Sequence, residues 1–192
     1  MRSGNVTRKT NETSIAVSVK LDGNGLFRVQ TGVGFFDHML EQLAKHACID
    51  LDVKTEGDLH IDAHHSVEDT GIAIGQALKE AFGDKRGLER YGHAYLPMDE
   101  SLARVALDIS NRPFLVWQVA LPAPQVGHFD TELVREFFYA VAQHAGITMH
   151  MAILYGENTH HMIEALFKAF ARALFMAKQV NGDVLPSTKG AL

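Results

Sequence analysis

The sequence predicts an α+β fold built from two similar halves, and three observations carry that prediction. His64-His65-Ser66-Val67-Glu68 returns as His160-His161-Met162-Ile163-Glu164. The alternating run Glu12–Leu21 has a counterpart in Glu100–Ile109. A segment of helical period follows each of those runs, ahead of its His-His pair. Aligning Lys45-His46-Ala47 with Gln143-His144-Ala145 makes the repeat concrete: the next His-His pair begins 18 residues after His46 and 16 after His144. The predicted unit is strand-strand-helix-strand-strand-helix, used twice. Two copies are too few for a solenoid, so a pseudo-two-fold pair sharing a core or a site is expected.

In chain order, residues 1–11 are polar and read as a loose N-terminal arm. The first repeat occupies 12–87. Ile15, Val17, Val19 and Leu21 alternate as a half-buried strand. Asp22-Gly23-Asn24-Gly25 is a hairpin signal, with Leu26–Gln30 returning as its partner. Phe36, Met39, Leu40 and Leu43 recur at helical spacing, with Asp37 early in the helix. Ile49–Thr55 and Leu59–Asp62 are the next strands, and Ser66–Phe82 is a helix in which Gly71 and Gly75 allow close packing.

The second repeat occupies 88–179. Strands are expected at Glu100–Ile109 and Phe114–Leu121, with a loop at Pro122–Pro124. A helix follows at Thr131–His144, a strand at Thr148–Leu154, and a long helix from the second His-His pair to about Lys178. The tail, 180–192, is polar and has no counterpart.

At 46% hydrophobic and 21% charged, the 192 residues are ordinary globular material. A net charge of −5 gives no basic footprint for nucleic acid or anionic membrane. No apolar run follows the basic N-terminal stretch and none is long enough to span a bilayer, so the expected location is the cytoplasm. The single cysteine, Cys48, excludes an internal disulfide and reads as a small buried apolar residue.

Histidine is the outlier, at 11 of 192 residues. On a helix, His64 and His65 stand i+4 and i+3 from Glu68, so each shares a face with it. Each half adds one residue from its preceding helix, His38 or Glu136, which fall opposite one another in the alignment. Eight candidate ligands result: His38, His64, His65, Glu68, Glu136, His160, His161 and Glu164. Eight nitrogen and oxygen donors without a thiolate suit two ions of intermediate hardness. Adjacent histidines on a helix point about 100° apart, so each pair is better suited to serving two ions than to gripping one. The clusters can meet within one chain or across a subunit interface.

Other residues carry weaker signals. Arg90 and Arg112 are candidate anion clamps or plain surface cations. Ser187 and Lys189, in a short polar tail, are candidates to wrap a phosphate. Glu12 and Glu100 stand at equivalent strand starts, as general bases or as edge-strand acids.

Phe36-Asp37-His38-Met39-Leu40, His60-Ile61-Asp62-Ala63-His64-His65-Ser66-Val67-Glu68-Asp69, the second His-His-x-x-Glu-Ala and the ending Pro186-Ser187-Thr188-Lys189-Gly190 closely resemble imidazoleglycerol-phosphate dehydratase, from about Glu12 to Gly190. One departure is visible: the family commonly has a second Asp where this chain has Ala63, which removes a partner for a ligating histidine. The resemblance implies ribosomal protein S5 domain 2-like halves, each a four-stranded sheet with two helices on one face. It implies a homo-oligomer of 24 subunits with two Mn(II) ions per site where subunits meet. One ion is implied on His64, Glu136, His160 and Glu164, the other on His38, His65, Glu68 and His161. The implied reaction converts imidazole glycerol phosphate to imidazole acetol phosphate and water, with no nucleic acid or membrane partner. Glu12 is the first choice to move the protons and Glu164 the second. Arg90, Arg112, Ser187 and Lys189 are implied on the phosphate, with Glu12 and His38 also against substrate. A binuclear hydrolase and a metal-stapled structural assembly are the rival readings.

Overall fold

The computed structural model describes residues 2–192. Ten strands and four helices are formed among them. The first half contains β1 (Ser3–Lys9), β2 (Thr13–Lys20), β3 (Phe27–Gln30), α1 (Gly34–Ala47), β4 (Asp50–Gly57) and α2 (His64–Phe82). The second contains β5 (Tyr91–Met98), β6 (Ser101–Asp108), β7 (Phe114–Gln118), the short strands β8 (Gln125–Val126) and β9 (Phe129–Asp130), α3 (Leu133–Ala145), β10 (Thr148–Tyr155) and α4 (Thr159–Ala177). The two large sheets have matching orders, β1-β2-β4-β3 and β5-β6-β10-β7, and β8 and β9 pair only with each other. The predicted α+β duplication with two four-stranded sheets is therefore present.

Within each half the observed order is strand-strand-strand-helix-strand-helix, with β8 and β9 added in the second, and not the expected strand-strand-helix-strand-strand-helix. Residues 3–9 are an edge strand rather than an arm, antiparallel to β2 from Ser3↔Lys20 to Lys9↔Ser14. The hairpin expected between β2 and β3 does not form, because β4 lies between them, antiparallel to β2 and parallel to β3. Asp50, at the start of β4, holds the turn in this arrangement. Its Oδ1 accepts the backbone N–H groups of Asn24 (2.9 Å) and Leu26 (3.1 Å), wrapping the Asp22–Gly25 turn around the incoming strand. Leu59–Asp62 is a turn, with Leu59 and Ile61 39% and 63% exposed. Residues 91–98 form β5, an element that is not among those the sequence predicts. Cys48 is half-buried and caps α1 in the left-handed conformation (φ 49°), where the second repeat has Gly146 (φ 70°).

Each helix pair covers one face of its own sheet, and the two pairs face each other. α2 packs on β1 and β2, α4 on β5 and β6, and across the halves α1 meets α4 while α2 meets α3. Exchanging the halves maps one cross-contact onto the other, as a pseudo-two-fold requires. Between them lies a core containing Phe36, Phe137, Phe138, Phe167 and Phe170, all buried. Gly71 and Gly75 let α2 approach α3 closely: a Cβ there would stand 2.9 Å from the Phe137 carbonyl and 3.0 Å from that of Val141. The edge strands use Gly4 and Gly92 likewise against the Ala77 and Ala173 carbonyls. No helix among the described residues is long and apolar enough to cross a membrane.

Candidate metal centre and active site

Both His-His pairs open their helices, as the spacing predicts, and local capping fixes where each helix begins. Asp62 Oδ1 accepts the N–H of His64 at 2.8 Å, and Asn158 Oδ1 accepts that of His161 at 3.2 Å. α1 is set by Asp37, whose Oδ1 accepts from the Thr31 backbone (2.9 Å) and hydroxyl (2.5 Å). One residue later, His38 points toward α4. Its Nε2 lies 3.6 Å from Glu164 Oε2, and His160 Nε2 lies 3.1 Å from the same oxygen. His38, His160 and Glu164 offer three donor atoms within 4.8 Å of one another.

Glu164 is only 5% exposed. Burial works to raise its carboxyl, but the Lys168 ammonium at 2.6 Å, with His160 and His38, outweighs that and holds it below the usual range. An anion fixed in this way suits a ligand better than a group that must gain and lose a proton.

The second histidine of each pair faces elsewhere. The rings of His64 and His65 are nearly perpendicular (87°), as are those of His160 and His161 (81°). His65 Nδ1 is 2.9 Å from Asp58 Oδ2, and His161 Nδ1 is 2.8 Å from Glu100 Oε2. The carboxylates raise both imidazole pKa values, and each Nε2 faces an exposed acid, Glu12 at 3.9 Å and Asp99 at 3.8 Å. A histidine with one nitrogen tied to a carboxylate presents the other as an oriented, more basic ligand. His64 Nε2 and Glu68 Oε2 are 3.6 Å apart. Glu136 is on α3, where Oε1 pairs with Arg135 at 3.1 Å.

Glu12 and Glu100 occupy equivalent places in very different states. Glu100 is held by His161, by the Asn158 N–H (2.7 Å) and by Ser101 (2.9 Å), which lower its carboxyl well below the usual range. Glu12 is 53% exposed and approaches His65 Nε2 at 3.9 Å.

The candidate phosphate residues converge on the other end of β6. Arg90 is buried and bidentate to Asp108, at 2.7 and 3.1 Å, and its Nη1 donates to the Pro186 carbonyl at 2.6 Å. Arg112, 62% exposed, reaches the same Asp108 at 3.4 Å. The Pro186 contact ties the tail that carries Ser187 and Lys189 to Arg90. Asp108 ends the strand that begins beside Glu100, and seven steps at about 3.3 Å put roughly 23 Å between the ends. Within one chain, the cationic cluster and the histidines therefore do not meet. A cavity of about 460 Å³ opens at His160, lined also by Asn158, Thr159 and Pro122.

The model of the imidazoleglycerol-phosphate dehydratase family matches residues 31–174. The chain belongs to the imidazoleglycerol-phosphate dehydratase family. It is 60% identical to the imidazoleglycerol-phosphate dehydratase of Roseobacter denitrificans, with 100% of both chains covered. It is 58% identical to that of Sinorhizobium fredii over 100% of this chain and 96% of the relative. Among solved structures, the Staphylococcus aureus dehydratase superposes with a TM-score of 0.85 at 44% identity, covering 93% of this chain and 99% of the other. The Pyrococcus furiosus dehydratase, solved in complex with (S)-C348, gives 0.85 at 35% identity, covering 97% and 100%. The chain is accordingly an enzyme of the hydro-lyase class.

Two residues that the sequence does not single out, Asp58 and Lys168, touch the candidate ligands, and Glu100, a candidate base in the sequence, is tied to one of them. Asp58 and Glu100 orient His65 and His161, so the tie lost with Ala63 is not needed at those two rings. Lys168 neutralises Glu164 from one turn along α4. Its i, i+4 spacing was readable, but ion pairs at that spacing are common on any helix. The structure also places His38 with His160 and Glu164, across the two ligand sets that the resemblance implies.

Proposed function

We propose that this family member removes water from D-erythro-imidazole glycerol phosphate to give imidazole acetol phosphate, in histidine biosynthesis in the cytoplasm, using two Mn(II) ions per site. The observation that carries the reading is the meeting of His38, His160 and Glu164. The donors fit the metal: imidazole nitrogens and carboxylates without thiolate suit divalent manganese, iron or zinc, and Asp58 and Glu100 supply the outer carboxylates.

The triad also suggests how eight ligands divide. The pseudo-two-fold carries His38, His160 and Glu164 onto Glu136, His64 and Glu68. Each trio anchors one ion, and because neighbouring histidines diverge, His65 joins the first set and His161 the second. His65 and His161 face away from the triad, which favours donation to the site of a neighbouring subunit. The roughly 23 Å between cationic cluster and histidines favours the same composite arrangement, and a 24-subunit shell supplies the interfaces. When bound, the two ions supply Lewis-acid charge to the two nitrogens of the substrate's imidazole.

The chain's own residues do the rest. The carbon that loses its proton is not next to a carbonyl, so the ring must serve as the electron sink. The ring first gives up its N–H proton and pushes electrons outward, so that the hydroxyl on the ring-adjacent carbon leaves with the C–O pair and that proton as water. The ring can then accept the C–H pair. Glu12 takes the proton from the neighbouring carbon, and the resulting enol ketonises. Arg112, Arg90, Ser187 and Lys189 hold the phosphate and fix that carbon in place.

Incubating manganese-loaded protein with imidazole glycerol phosphate and with simple phosphate esters tests the reading. The enolisable ketone is the expected product. Released inorganic phosphate would establish a hydrolase, and inertness with metal-dependent assembly a structural role. Chelation is expected to abolish activity and reduce particle mass in light scattering, since ligands shared between subunits tie assembly to metal; an inactive apo-protein of unchanged mass contradicts interfacial ligands. Arg112→Ala is expected to raise KM about tenfold or more, since a charge-assisted phosphate contact of about 1.5–3 kcal/mol is lost. Metal content should not change, and equal loss of both would remove Arg112 from the phosphate.

A further inference from the structure

The helix carrying the first His-His-x-x-Glu buries polar groups that its copy does not. Ser66, Asp69 and Thr70 are buried in α2, whereas the equivalent buried positions of α4 are Met162, Ala165 and Leu166. Polar and charged groups in such places add little stability over apolar ones of similar size, so the difference calls for another role.

The contacts of Asp69 supply one. Its Oδ2 accepts from the Thr13 hydroxyl at 2.5 Å and pairs with Arg8 Nη1 at 2.5 Å. Arg8 is next to last in β1 and Thr13 is first in β2, so both contacts grip the turn that carries Glu12. Inside it, the Thr10 hydroxyl accepts the N–H of Glu12 at 3.1 Å and of Thr13 at 3.0 Å.

The second repeat reverses the arrangement. Strand register places Leu96 where β1 has Arg8, and Ser101 where β2 has Thr13. Ala165 replaces Asp69, and it is the Glu100 carboxylate itself that is tied, to His161 and Asn158. One repeat holds the turn and leaves its acid free; the other leaves the turn and holds the acid.

We propose that Asp69, with Arg8 and Thr13, is a positioning residue that fixes the β1–β2 turn so that Glu12 reaches the reacting carbon. The inference rests on the base role proposed above for Glu12. The test is the paired replacement Arg8→Leu with Asp69→Ala, which installs the second repeat's residues and leaves no unpaired buried charge.

In the manganese-loaded enzyme, kcat is expected to fall about tenfold or more. KM should stay within about twofold, with bound manganese and melting temperature unchanged. The same pair in a Glu12→Gln background should cost nothing further, because the pair acts through Glu12. If Glu12→Gln lowers kcat but the pair leaves it intact, or adds its full loss on top, the positioning role is overturned and the base role stands. If Glu12→Gln leaves kcat intact, the base role fails and the positioning role with it. Loss of manganese or of melting temperature in the pair would instead assign Asp69 to the metal site or to folding, against the proposal.

Discussion

On the proposed metal role, Glu164→Ala is expected to yield a folded chain that holds less metal and has lost most of its turnover. Glu164 is the oxygen on which His38 and His160 converge, and no neighbouring carboxylate replaces it in the triad. Lewis-acid stabilisation amounts to several kcal/mol, so its loss corresponds to about three decades in kcat/KM. Lys168 loses its partner but keeps 21% side-chain exposure, so the fold should survive with a melting point only a few degrees lower. Metal analysis alongside kinetics is decisive. A variant that keeps its full metal complement while losing turnover would mean that Glu164 handles protons rather than metal.

Gly92→Ala is expected to be the most damaging small substitution in the chain. A Cβ at that position would lie 1.9 Å from the Ala173 carbonyl oxygen, a backbone atom of α4 that cannot swing aside. Overpacking of this kind costs about 3 kcal/mol or more, which in a chain this size lowers the melting temperature by roughly 6–12 °C. Gly4→Ala should behave alike, with 2.0 Å to the Ala77 carbonyl. Gly34→Ala is the control: it meets nothing within 4 Å, so its effect should stay within about 0.5 kcal/mol. Calorimetry of the three variants checks the set, and an unaffected Gly92→Ala would mean that β5 can shift away from α4.

The same glycines explain part of what the sequence did not disclose. A strand is recognised by alternating apolar residues, but the inward positions of β1 are Gly4, Val6 and Arg8. Two of those three are there for a close approach and an ion pair, so the segment read as an arm. The turn at Asp22–Gly25 was recognised for its composition, but its partner is Asp50, and no local pattern shows that a later strand will enter. Leu59 and Ile61 gave a strand signal because they are apolar, although both are exposed on the surface of the chain.

The candidate ligands were legible because metal chemistry restricts residue type and the duplication displayed the motif twice. Which of them meet was not, since that depends on α1 crossing α4 rather than on spacing within either helix. Asp58 and Lys168 were hidden for a similar reason: a carboxylate or an amine acquires its role only from the ring or acid it touches.

The crossed helix contacts, α1 with α4 and α2 with α3, are those that two identical subunits make across an isologous interface. The chain thus has the geometry of such a dimer with its subunits joined end to end. Joining removes a constraint that symmetry imposes on any homodimer, in which both copies of a residue must change together. Here Glu136 can stand opposite His38, and Ala165 opposite Asp69. One half can keep an exposed acid, Glu12, while the other ties its counterpart, Glu100, to a histidine. A dimer of identical halves would have two equivalent faces, and this chain has two that differ.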